Sequence, residues 1–411
     1  MLPSLQEINR TIPARRAVAF LGPGALVAVG YMDPGNWVTS IQGGAETGYA
    51  LLSVILLSSL SAMFLQYLCV KLGMGARIDL AQATRMLVGS RVAVALWIIA
   101  ELAIMATDIA EVIGAAIALN LLFHWPLVLG VLVTVADVLV LLVLTHMGFR
   151  KVEAIVIALI ATVTVIFFYQ TYLVSPEPAA VLAGFEPRLF QGHALVLALG
   201  IVGATVMPHN LYLHSSIVQS RAPKGISTHE AIRFGAWDSH IQLTIAFVVN
   251  CMLLILGAGL FHGMEIESFQ AIYDHLLRVS GPLVATLFAV ALLASGQNST
   301  ITGTLSGQIV MEGFVHIHIA PWARRMITRC IAVIPVLMAA IFWGPKELDD
   351  LLINSQVFLS IALPFSIIPL VWITSSERFM GEYKNKPVTT IVGWIIALVL
   401  TGLDLYLLLG A

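Results

Sequence analysis

Gly30-Tyr31-Met32-Asp33-Pro34-Gly35-Asn36-Trp37 is the stretch on which the fold turns, and Gly203-Ala204-Thr205-Val206-Met207-Pro208-His209-Asn210 is its counterpart. Each lies in the middle of an apolar run long enough to cross a bilayer. Each also contains X-Pro-X-Asn, so that Asp33 corresponds to Met207 and Asn36 to Asn210. A proline inside a helix removes an i to i−4 hydrogen bond, and the adjacent Gly35 loosens the backbone further. Two spans are therefore expected to be broken near their midpoints.

Working outward, apolar stretches of about 20 residues, the length that crosses about 30 Å of hydrocarbon, recur throughout. Their bounds are 17–46, 49–72, 92–120, 126–146, 153–174, 193–220, 238–262, 282–310, 324–343, 350–373 and 388–409. The fold class expected is an all-α membrane protein of about eleven transmembrane helices. The breaks fall in helices 1 and 6. Pro34 and Pro208 stand 174 positions apart, five helices on, and an odd number of crossings reverses direction. Residues 1–174 and 193–373 then form two inverted five-helix repeats, with 388–409 as an additional helix, all within one transmembrane domain. Interrupted segments at matching places in two inverted halves point to a midplane transport site.

The charges test this count independently. With a cytoplasmic N-terminus, eighteen of the 21 Lys and Arg fall in inside segments or adjoining helix ends, leaving Arg188, Arg278 and Lys346 outside. An error in one span would scramble that alternation, so the positive-inside rule supports a multi-pass protein of the cell membrane with its C-terminus extracellular. Of the 23 acidic residues, Asp33, Glu101, Asp108, Glu111 and Asp137 lie at membrane depth, where carboxylates are costly enough to be functional by default.

Composition narrows the classes. With 59% hydrophobic and 11% charged residues and a mean hydropathy of +0.94, the chain cannot cover its surface with polar groups, which excludes a soluble enzyme. A net charge of −2 disfavours nucleic acid as a partner. Cys69, Cys251 and Cys330 are scattered through apolar stretches and form neither a disulfide framework nor a CxxC site. Arg10, Arg15 and Arg16 before the apolar run at Ala17 imitate a signal peptide without a convincing cleavage site, so that run is expected to stay as the first span.

Unwinding frees backbone carbonyls, to which Asp33 adds a charge, Asn36 an amide oxygen and Met207 a thioether. All are donors to a cation. Hard ions prefer oxygen alone, whereas a thioether favours a softer transition metal.

At these residues the chain strongly resembles the Nramp family, the proton-coupled divalent metal transporters that bacteria use for manganese uptake. Ala106-Thr107-Asp108-Ile109-Ala110-Glu111, Ser295-Gly296-Gln297-Asn298-Ser299-Thr300 and Ser355-Gln356-Val357 extend the likeness along the whole chain. The resemblance implies a fold like that of the bacterial leucine transporter. It implies metal held by Asp33, Asn36, Met207 and the Ala204 carbonyl, with Gln356 at a position that approaches the metal in some states. The cargo implied is Mn2+, and the donors also suit Fe2+, Co2+ and Cd2+; no resident cofactor is expected.

Glu101, Asp108 and Glu111 lie at offsets of 0, 7 and 10, within about 80° of one another on a helix. Intramembrane acid chains commonly relay protons. The resemblance implies that Asp108 and Glu111 belong to an inward proton route and that His209 is proton-linked; Glu101 carries over more weakly. A metal binds only ionised Asp33, so metal and proton compete there. His214 is about 140° from His209 around the helix and reads as structural or gating. Asp137 reads as a helix-packing residue. The Asn298 sequon is buried in a span, and Gly303 and Gly307 form a GxxxG pattern that reads as close helix packing only. Residues 263–281 are expected to form a short surface helix.

The reading is a secondary transporter importing divalent metal with protons by alternating access. A sodium-coupled amino-acid carrier of the same fold is the alternative, although Asp33 would repel a substrate carboxylate. An intramembrane metalloenzyme or sensor lacks an HExxH-like constellation and an output domain.

Overall fold

The computed structural model describes residues 23–136, 149–221, 226–264 and 268–409. Asp137, Arg10, Arg15 and Arg16, together with the beginning of the first span and residues 137–146 of the fourth, lie outside them. Every regular element among the described residues is helical. In chain order these are α1 (Pro23–Gly30), α2 (Pro34–Thr47), α3 (Leu52–Gly75), α4 (Leu80–Phe123), α5 (Leu127–Thr134), α6 (Phe149–Val174), α7 (Pro178–Ala183), α8 (His193–Thr205) and α9 (Pro208–Ile217). They continue with α10 (Thr228–Phe261), α11 (Phe269–Val279), α12 (Pro282–Val315), α13 (Pro321–Phe342), α14 (Pro345–Ala362), α15 (Pro364–Ser375), α16 (Glu377–Met380) and α17 (Pro387–Leu408).

Among the described residues nine helical stretches are long and apolar enough to span a membrane. Two of the eleven expected spans are not among these nine: the first, which is broken into α1 and α2, and the fourth, of which α5 is the described helix and residues 137–146 lie outside the described residues. Both expected breaks are present, α1 from α2 and α8 from α9. α11 is the expected surface helix.

Three helix ends differ from the hydropathy reading. α4 begins at Leu80 rather than 92. Its cap is Asp79, whose carboxylate accepts from Gln82 N at 2.8 Å, and the chain bends at Gly89, where φ is +78°. α10 begins at Thr228 rather than 238, behind a capping box in which Ser227 and Glu230 satisfy one another's backbone N–H groups. In both, charged residues on the first turns hide a helix that extends beyond the hydrocarbon. The tenth span, expected as one helix over 350–373, is divided into α14 and α15 at Leu363, because Pro364 cannot continue the ladder.

The interior is arranged around the two breaks. α2 packs against α10 and α8, α8 against α14, and α4 against α12 and α14. Gly203 on α8 lets the α14 backbone approach so closely that a Cβ there would collide with the Gln356 carbonyl. Trp37 of α2 is fully buried, edge-on to Phe167 of α6 at 4.6 Å and Phe288 of α12 at 5.4 Å between ring centroids.

Candidate functional site

The X-Pro-X-Asn pattern has a simple local logic. Proline pushes the residue before it out of the helical region and is itself suited to the first helical position. Asp33 is accordingly extended (φ −70°, ψ 168°) and Met207 likewise (φ −62°, ψ 125°), each forming the N-cap of a new helix.

The two caps differ in how they use their side chains. Asp33 Oδ1 accepts from Asn36 N at 2.9 Å and Asn36 Nδ2 at 3.0 Å. At the second break Asn210 N donates instead to the Met207 carbonyl at 3.2 Å, so the thioether has no capping duty. Met207 is fully buried among Ala103 and Ala106 of α4 and Leu359 and Ala362 of α14.

Carbonyls released by the first break need partners once buried. Asn250 Nδ2 donates to Tyr31 O at 3.0 Å. Met32 O accepts from Trp37 Nε1 at 3.2 Å and from the Ser295 hydroxyl.

One side chain links the breaks. Asn36 Nδ2 donates to both Asp33 Oδ1 and, at 2.9 Å, the Ala204 carbonyl of α8. These two acceptors fix the amide orientation and turn Asn36 Oδ1 the other way. Gln356 reaches between the same segments: its amide occupies the space that a Cβ on Gly35 would fill, while its Nε2 donates to Ser355 Oγ at 2.9 Å. Asp33 Oδ2, Asn36 Oδ1 and Gln356 Oε1 are then buried acceptors without a hydrogen-bond partner. Asp33, Asn36, Ala204 and Gln356 are thus brought together, with Met207 three residues beyond Ala204 on the same break.

No group of three His, Cys, Asp or Glu side chains is placed to hold a metal among the described residues. A site here would use a mixed set of one carboxylate, amide oxygens, a carbonyl and a thioether. That combination suits a divalent transition ion.

The α4 stripe is resolved into ion pairs. Arg324 meets Glu101 at 2.5 Å; Arg325 pairs with Asp108 and, at 2.7 Å, with Glu111; and Arg329 lies 3.4 Å from Glu111. Thr300 donates to Glu111 Oε2 at 2.9 Å, which gives the Ser295–Thr300 motif a role at each end.

Sequence reading placed these three arginines among the charges of an inside segment and did not find them as partners. The signal available was their number at the start of a span, Arg324, Arg325 and Arg329. All three are buried. The GxxxG reading is corrected too, since Gly307 makes room for the Arg324 guanidinium and Gly303 for Glu111 and Asp108, with a Cβ there 3.4 Å from Glu111 Oε1.

His209 is buried, and neither ring nitrogen has a hydrogen-bond partner. His214, by contrast, is held on both sides, by Gln66 Oε1 at 2.7 Å and Ser239 Oγ at 3.2 Å. Gln66 in turn donates to Tyr31 OH at 2.8 Å. That chain of bonds joins α9 to α3, α10 and the first break.

Comparison with known proteins gives a consistent picture. The family model of Nramp, described as natural resistance-associated macrophage protein-like, matches residues 24–410. A divalent metal cation transporter MntH of Staphylococcus haemolyticus is 54% identical over 99% of this chain and 96% of its own length. The MntH of Staphylococcus aureus is 54% identical over 98% and 95%. Among solved structures, the Eremococcus coleocola manganese transporter is similar with a TM-score of 0.88 and 47% identity, covering 98% of this chain and 90% of that one. The nucleobase-cation-symport-1 family transporter Mhp1 is similar in fold alone, with a TM-score of 0.63 and 15% identity over 94% and 90%.

Proposed function

This chain belongs to the Nramp family, and on that premise we propose that it imports divalent transition-metal ions, Mn2+ first, together with protons by alternating access. The observation that carries the reading is the group of three buried acceptors, Asp33 Oδ2, Asn36 Oδ1 and Gln356 Oε1, left without donors where two helix breaks meet. Buried polar atoms are almost always paired. A cluster of unpaired acceptors around one carboxylate is a place that a cation would satisfy. The Met207 sulfur and the Ala204 carbonyl complete the proposed donor set, and the sulfur favours Mn2+, Fe2+, Co2+ or Cd2+ over Mg2+ and Ca2+.

Proton coupling follows from the same carboxylate. Metal binds ionised Asp33, so a proton delivered there weakens metal binding, and metal arrival releases a proton. Asp108, Glu111 and, at the end of the stripe, Glu101 offer a route away from it, with His209 beside the break as a further exchanging group. A membrane potential contributes about 2.3 kcal/mol per charge per 100 mV, which drives both cations toward a negative interior. In this reading the protein lies in the cell membrane with a cytoplasmic N-terminus. Residues 1–174 and 193–373 are the inverted repeats that rock about the site.

A substrate carboxylate has less to recommend it. Asp33 already caps the N-terminus of α2, where an amino-acid carrier would receive its ligand.

Proteoliposomes loaded with a metal-sensitive dye test the proposal. Mn2+ and Fe2+ should enter faster than Mg2+ or Ca2+, acidification outside should accelerate entry, and the lumen should acidify with the metal. Equal fluxes of all four ions, or metal flux with no proton movement, would overturn it.

A further inference from the structure

The first turns of α10 carry a feature that neither the metal site nor the proton route uses. His229, Arg233, Trp237 and His240 follow one another at intervals of 4, 4 and 3 residues, which places them on one helix face. With Tyr67 of α3 they line a groove of about 590 Å3. Tyr383, whose ring centroid lies 5.4 Å from that of His229, sits in a segment that carries Arg378, Lys384 and Lys386 against Glu377 and Glu382. Lys384 is paired with Glu377 at 2.5 Å. The acidic lining residue, Glu230, is turned to the helix cap, where its Oε2 accepts from Ser227 N at 3.1 Å and Ser227 Oγ at 2.9 Å.

The groove runs into an apolar track. Below Arg233 the same face exposes Trp237 (59%), Ile241 (50%) and Val248 (38%). From Trp237 to Val248 the helix rises about 16 Å, close to half of the roughly 30 Å hydrocarbon thickness. Arg233 and His229 therefore stand above an interfacial tryptophan, His240 follows it by three residues on the same face, and apolar side chains descend one leaflet beneath. Trp belongs at the headgroup boundary, and basic pockets between spanning helices suit phosphate headgroups.

We propose that this groove binds one anionic phospholipid, with its phosphate on Arg233 between His229 and His240 and an acyl chain laid along Trp237, Ile241 and Val248. The site has a means of reaching the transport cycle. Asp238, the residue after Trp237, accepts from Gly24 N of α1 at 2.8 Å, so α10 carries the lipid on one face and the inner half of the first broken span on another.

Native mass spectrometry of the full chain in detergent, titrated with dioleoyl phosphatidylglycerol, dioleoyl phosphatidylcholine or inorganic phosphate, tests this. One phosphatidylglycerol should be retained in preference to phosphatidylcholine. Arg233→Gln should weaken that retention about fivefold, the factor expected of one cation near an anionic headgroup, with phosphatidylcholine unaffected. Arg233→Lys should keep most of the preference, and both variants should melt with the wild type because the side chain is exposed. Equal retention of the two lipids, an Arg233→Gln variant that holds phosphatidylglycerol as the wild type does, or displacement of the lipid by millimolar phosphate would each overturn the proposal.

Discussion

Asp33 divides its work between two oxygens. Oδ1 closes the first turn of α2 through Asn36, and Oδ2 is left unpaired. Asp33→Asn separates these tasks, because asparagine caps a helix as well as aspartate does while losing the charge. The variant should keep its folding stability to within about 1 kcal/mol yet abolish Mn2+ uptake; wild-type flux would remove Asp33 from the proposed metal site. Met207 invites a similar separation. Met207→Ala would open a cavity costing about 2–5 kcal/mol, whereas Met207→Leu conserves volume and removes only the sulfur. The leucine variant should fold normally and lose part of its discrimination against Ca2+ and Mg2+ in competition uptake. Unchanged selectivity would mean that the sulfur does not contact the ion.

At the scale of the helix, the paired breaks were legible because each is written in a few adjacent residues, with a cap, a proline at the first position and an asparagine at the third. The α4 carboxylates were legible as a stripe because spacing along one helix is a property of sequence. Their arginine partners were not, since Arg324, Arg325 and Arg329 lie more than two hundred residues away and near a helix end, where the positive-inside rule counts them as loop charges. Gly303 and Gly307 of α12 leave the room in which the α13 guanidinium groups and the α4 carboxylates meet. Removing one partner of a buried pair costs about 3–5 kcal/mol. Arg325→Leu should therefore lower the melting temperature severely. Asp108→Asn, which keeps a polar group opposite Arg325, should fold and instead weaken proton flux more than metal binding. If Arg325→Leu melts with the wild type, the pairing contributes nothing to the fold.

Asp79, the buried N-cap of α4, carries a pH prediction for the same helix. Burial raises its carboxyl from 3.8 to about 6, against the pull of the Gln82 hydrogen bond and with help from nearby Glu312. The folded chain holds this proton more tightly than the unfolded chain. The contribution to stability is therefore complete below pH 3.8 and is lost as pH rises through about 6. A shift of this size is worth about 3 kcal/mol. Melting of the detergent-solubilised protein between pH 4 and 7 should fall less steeply in Asp79→Asn than in the wild type. Parallel curves would show that Asp79 is not the group responsible.

On the scale of the whole molecule, the number of spans and their broken members followed from hydropathy and proline placement, and the similarity to Mhp1 at 15% identity shows the same fold. What hydropathy could not convey is how the spans meet. Gln356 lies between Gly35 of α2 and the α8 backbone at Gly203, a relation among three segments that no local pattern encodes. Tyr31, Gln66, His214 and Ser239 similarly join the first break to α3, α9 and α10, and of these only His214 stood out in the sequence as a residue to read. These contacts make the two breaks a single site.

Manganese anomalous diffraction from crystals of the protein grown with Mn2+ tests that site most directly. The account predicts one strong peak bounded by Asp33, Asn36, Met207 and the Ala204 carbonyl, and its loss in Asp33→Asn. A peak confined to any other part of the molecule, or one that persists undiminished in Asp33→Asn, would contradict it.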